Sequence, residues 1–187
     1  MGRSLRRSTT FFVSALLLAT STSCHSSTGP LDPIPHGHES DGQGVISGKP
    51  FSYGLDLPRL DTEIQLGSLS IPGLPPSARI VGTGFIESTE NNGGIGTSRR
   101  YPPHGYVIHP LKGTNYGGPG STGGGQVLVG LVVDGNRPVV IDGFTLGYQS
   151  DGHAYTWVFP QTLRVCPGKS TAPADCSPPQ TSTGPPA

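Results

Sequence analysis

The chain has 187 residues, room for one ordinary domain with tails. Charged residues make up only 13% of it, about half the usual share, while 29 Gly and 20 Pro stand out. Twelve basic residues balance twelve acidic ones, which argues against a polyelectrolyte or a nucleic-acid binder.

The amino terminus reads as an export signal over residues 1–23. Arg3, Arg6 and Arg7 make a basic start, Phe11 to Ala19 is apolar except for Ser14, and small residues follow from Thr20 to Ser23. The apolar run is too short to span a bilayer, which takes about 20 residues. The longest later run, Val127 to Val133, is shorter still. Arg6-Arg7 is a twin-arginine pair, but Ser8-Thr9-Thr10 intervene before the apolar run, which favours the general export route. With this segment removed, nine basic residues face twelve acidic ones, and the mature chain is three units negative.

Ser21-Thr22-Ser23-Cys24 resembles the lipobox of exported bacterial lipoproteins, in which the Cys is acylated and becomes the new amino terminus. The chain departs from that pattern at Ser21, where the family prefers Leu. The other outcome is an ordinary cut near Ser21, with a free thiol left on Cys24. Cysteine parity favours acylation. Of three Cys, Cys166 and Cys176 lie ten positions apart across Pro167, Gly168 and Pro173, so a loop can join them as a disulfide. Such a loop contributes about 2.5–3 kcal/mol by chain entropy. Cys24 is then the odd sulfur. A zinc site lacks the second pair needed for four ligands.

Residues 24–49 read as a flexible tether, rich in Pro, Gly and polar side chains and poor in large apolar ones. The domain is expected over 50–166, and 167–187 reads as a Pro-rich disordered tail. Gly and Pro interrupt every window long enough for an amphipathic helix. Strand signals recur instead, at Phe51 to Tyr53, Ile64 to Ile71, Arg79 to Glu87 and Tyr106 to Ile108. The last third is the richest. Gln126 to Val133, Pro138 to Ile141, Gly143 to Tyr148 and His153 to Phe159 are separated by Asp134-Gly135-Asn136 and Ser150-Asp151-Gly152 turns, with a break expected at Pro160. Short spacing implies antiparallel pairing. The number and spacing of strands point to an all-β antiparallel sandwich of immunoglobulin-like type, without the Cys–Trp–Cys pattern of true immunoglobulin domains.

Residues 88–125 hold Asn91 to Gly94, Pro102-Pro103, Gly117 to Gly120 and Gly123 to Gly125. A long Gly-rich loop of this kind is the first place to look for a binding surface. Within it, Gly118 to Gly123 matches the G-x-G-x-x-G pattern, but a strand follows where a dinucleotide site needs a helix. No cofactor is expected.

His104, His109 and His153 are the candidate metal ligands or catalytic bases. His104 and His109 are five apart, a spacing that puts them on opposite faces of a strand. His36 and His38 in the tether could hold a metal only loosely. The sole Met is Met1, which leaves no thioether copper site. Hydrolase chemistry lacks a G-x-S-x-G elbow. Asp142 and Asp151, each before Gly, read as turn residues. Glu87 with Glu90, and Asp61 with Glu63, are carboxylate pairs that nothing marks beyond surface charge. Tyr155, Trp157 and Phe159 share one strand face, which a core explains better than a ligand platform. Arg99-Arg100-Tyr101 reads as a solvated basic spot.

The signal and the Gly/Pro-rich, Lys-poor composition are similar to those of exported lipoproteins of high-GC Gram-positive bacteria. The expectation is a non-catalytic β module on the outer face of the cytoplasmic membrane, or secreted. It would be anchored through a lipid on Cys24 and would contact a protein, a cell-wall polymer or a small ligand through residues 88–125. The alternative is a secreted hydrolase or metal-binding protein using His104, His109 or His153.

Overall fold

The computed structural model describes residues 29–31, 39–88, 94–121, 123–168 and 176. Among these residues there are two packed sheets and no helix. One sheet contains β1 (Glu39–Ile46), β3 (Ile64–Ser70), β6 (Asn115–Tyr116), β8 (Val139–Ser150) and β9 (His153–Gly168), in the order β1-β9-β8-β3-β6. The other contains β2 (Phe51–Leu57), β4 (Ala78–Ser88), β5 (Thr97–Ser98) and β7 (Gly124–Val133), in the order β4-β7-β2-β5. The architecture is the β-sandwich expected from strand spacing.

Alternation builds the core. Phe51, Tyr53, Leu55 and Leu57 point inward from β2, and Phe144, Leu146 and Tyr148 meet them from β8. Tyr53 and Phe144 stack across the two sheets with ring centres 5.6 Å apart. Trp157 and Phe159 are 4% and 2% exposed, so these two aromatics of β9 are core and not a ligand platform. Tyr155, on the same face, is half-buried at the margin.

Three expectations need correction. The stretch expected as tether contributes β1, which begins at Glu39 and pairs in parallel with β9, Glu39 opposite Gln161. The sheet is therefore mixed. As an edge strand β1 buries one large apolar side chain, Val45, and the backbone ladder supplies the rest, so no hydrophobic run announces it. Pairing of the first strand with the last also needs no local turn.

The second correction concerns Pro160. β9 continues through it to Gly168, past the expected domain end at 166. The register shifts there, with Phe144 opposite Phe159 but Asp142 opposite Thr162. The extra residue makes a bulge, the one interior position where a missing N–H costs little. Gly143 faces this bulge at a φ of 81°, a conformation that favours glycine.

The third correction concerns residues 88–125, expected as an open loop. Apart from the edge strand β5, residues 94–109 lie across the outer face of the four-stranded sheet, and Leu111 enters the main core. Ile95, Tyr101, Tyr106 and Ile108 pack with Ile86 and Leu128 in a second apolar cluster. His109 and Phe85 exchange two backbone hydrogen bonds of 2.9 Å, which ties this cover to the β4 edge. β7 is consequently buried on both faces, which is why its sequence is a continuous apolar run and does not alternate. Cys166 and Cys176 form a disulfide with Cα atoms 5.7 Å apart.

Candidate functional site

Among the described residues, the outer face of the five-stranded sheet carries an open groove. Its centre is a register break. β3 and β8 pair Gln65 with Gln149 and Leu66 with Tyr148, then slip before Leu69 pairs with Leu146. Gly67 and Gly147 fill the slip. A Cβ on Gly67 would stand 2.5 Å from the Gly147 carbonyl oxygen, so only glycine fits. Two facing glycines leave a floor without side chains, and the flanking residues become walls.

Two hollows open on this floor and share Gln65 and Gln149. One of about 320 Å³ runs along Gly67, Ser68, Gly147 and Tyr155, with Lys112 on its rim. The other, of about 400 Å³, continues to the sheet end between Glu63, Asn115 and the Ser150–Gly152 turn. Gln65 and Gln149 are exposed and directly opposite each other. Their amides offer four N–H donors and two carbonyl acceptors to one ligand face. The Asn115 amide donates to Glu63 Oε1 at 3.3 Å, which holds the far wall. Asp151 takes a φ of 49° in the tight turn, as Asp tolerates. Beneath the floor, on the core side of the sheet, Tyr155 stacks on Tyr148 with ring centres 5.3 Å apart. The walls are therefore amides, a hydroxyl and charges of both signs. Such a set is suited to hydrogen bonding with a polar ligand.

The residues singled out from sequence fall elsewhere. His104 is exposed in the cover over the four-stranded sheet, His109 is exposed on the β4 edge, and His153 is exposed opposite Ser150 in the other sheet. The fold does not gather them. Among the described residues no group of three or more His, Cys, Asp and Glu is placed to hold a metal ion. Asp142 accepts a hydrogen bond from Thr162 Oγ1 at 3.0 Å, and Asp151 serves its turn. Glu87 and Asp61 are exposed, and Glu63 lines the groove. Gly118 to Ser121 form a turn ahead of β7, with Gly118 and Gly120 at φ values of 110° and 82°. Arg99 and Arg100 are exposed, and the Arg100 carbonyl accepts from Ser52 Oγ at 2.6 Å. Cys24, His36, His38 and Glu90 lie outside the described residues.

Sequence reasoning missed Gln65, Gln149, Asn115 and Lys112. Each sits at an outward position where any polar residue would suit. Of the segment favoured as a binding surface, only 112–115 fronts this groove, and 94–109 is spent on covering a sheet. Comparison with known proteins finds no matching family model and no similar curated sequence.

Proposed function

We propose that this protein is a lipid-anchored, extracytoplasmic, non-catalytic binding module, and that its groove takes an extended hydroxyl-rich polymer of the cell wall. One observation carries the ligand class: Gln65 and Gln149 stand opposite each other over the glycine floor of Gly67 and Gly147. A hydroxyl both donates and accepts, and so does an amide. A ring of a polymer unit fits a floor stripped of side chains. The open ends suit a chain better than an enclosed small molecule. The anchoring half of the reading comes from the signal-like residues 1–23 and from cysteine parity, with Cys166 and Cys176 bonded to each other and Cys24 left over.

We also read the sandwich as immunoglobulin-like. With β1 beside the last strand, the orders β9-β8-β3 and β4-β7-β2 match the G-F-C and D-E-B halves of that topology.

Titration calorimetry with soluble wall glycan tests the ligand. Gln65→Ala with Gln149→Ala removes two or more hydrogen bonds, about 1.5–3 kcal/mol, so affinity falls about tenfold to a hundredfold. Arg137→Ala, on an exposed turn away from the groove, leaves it unchanged. Equal binding by both variants, or no binding of wall polymer by the native chain, refutes the assignment. Intact mass of the native product tests the anchor through a diacylglycerol increment.

A further inference from the structure

The described chain begins at Gly29, and that start is locked into the domain. Leu31 is fully buried in the main core. Its N–H donates to the Tyr148 hydroxyl at 3.4 Å. Gly29 lies so close to the two stacked tyrosines that a Cβ there would fall 2.0 Å from the Tyr148 hydroxyl and 2.9 Å from the Tyr155 ring. Tyr148 is two residues from the end of β8 and Tyr155 two from the start of β9, beside the Ser150–Gly152 turn that bounds the groove. The chain therefore leaves the sandwich at the groove end, beside the Ser150–His153 turn. The Asp134–Arg137 turn is at the opposite end of β8, a strand of 12 residues, about 40 Å away.

Cys24 precedes Gly29 by five positions, and five extended residues reach at most about 18 Å. We infer that residues 29–31 act as a strap that holds the groove end of the sandwich against the bilayer surface. The tether is then no long stalk, and the groove works in the layer next to the lipid headgroups. This rests on the proposed acylation of Cys24. It narrows the ligand to the membrane-proximal part of a hydroxyl-rich polymer, since the outer wall lies beyond the reach of the strap. The groove carries Glu63 and Asp151 with Lys112 as its cation, so it offers no basic patch for anionic lipid. Covalent reach and the strap set the pose, and adsorption does not.

Energy transfer tests the pose. A keto amino acid at position 153 or 137 of the full mature chain carries a donor dye, and phosphatidylcholine–phosphatidylglycerol vesicles carry an acceptor on a headgroup. The chain is held by its native lipid or, as a separate arm, by coupling the Cys24 thiol to a maleimide lipid, Cys166 and Cys176 being bonded. Transfer from position 153 exceeds that from 137 several-fold. Gly29→Leu, which expels the strap, and Leu31→Ser, which loosens it, each bring the two values together while near-ultraviolet circular dichroism reports a retained fold. Equal transfer from both positions in the unaltered chain, or an unchanged difference in Gly29→Leu, overturns the strap. A native product without the diacylglycerol mass overturns the anchor alone, because the maleimide arm still reads the orientation.

Discussion

The side-chain amide of Gln126 and the backbone N–H of Ile95 meet in a 2.7 Å hydrogen bond buried under the cover segment. The same amide donates through Nε2 to Asp56 Oδ1 at 2.5 Å. Gln126 is 3% exposed, so water cannot reach the Ile95 N–H in its place, whereas Asp56 is exposed and keeps solvent. Gln126→Ala leaves the buried Ile95 N–H without its acceptor, and stability drops by about 1–3 kcal/mol in urea unfolding. Hydrogen exchange reports where it acts: the amide of Ile95 loses protection while the β8–β9 ladder keeps it.

Tyr101 rests on backbone. A Cβ on Gly82 or Gly130 would fall 2.4 Å from its ring. Gly130→Ala therefore pushes the ring off the sheet and costs about 1–3 kcal/mol by overpacking. Tyr101→Ala combined with Gly130→Ala removes the clash, so a double-mutant cycle shows a loss smaller than the sum of the two single losses.

Burial pushes the Tyr116 phenol up to about 12, against a smaller downward pull from a backbone hydrogen bond at Gly125. Burial raises Tyr101 as well. An unfolded phenol loses its proton near pH 10. The folded state thus holds protons that the unfolded state releases, and stability is complete below pH 10 and lost as pH rises toward 12. Urea midpoints measured from pH 8 to 12 follow that fall. Tyr116→Phe flattens part of it, and at pH 8 costs about 1 kcal/mol for the lost bond to the Pro58 carbonyl. A profile of Tyr116→Phe that still falls as steeply as the unaltered chain contradicts this account.

The Cys166–Cys176 bond closes a loop of ten residues on the last strand. Cys166→Ser with Cys176→Ser lowers unfolding free energy by about 2.5–3 kcal/mol. Intact mass shows the native chain two hydrogens lighter than its reduced form. A thermal midpoint that does not respond to reductant refutes the stabilising role.

The corrections share a cause. β1 escaped notice because an edge strand that buries Val45 needs few apolar residues. Pro160 reads as a stop in sequence, but a bulge against Gly143 accommodates it. Residues 94–109 look like a loop because their contacts, Tyr101 on Gly130 and Ile108 on Gly84, run to strands far along the chain. The groove was illegible for a related reason. Gln65 and Gln149 are 84 positions apart and differ in no local respect from other outward polar residues.

The sequence alone determined the fold class, the turns that separate β7, β8 and β9, the buried face of Trp157 and Phe159, and the pairing of two of three sulfurs. These follow from side-chain period, turn chemistry and short-range chain closure, all of which are local. Only the tertiary structure decided the parallel edge pair, the covered sheet face, the strap at Tyr148 and the groove between Gln65 and Gln149. Those depend on which distant strands become neighbours, and the register between β3 and β8 is set by packing of the whole core.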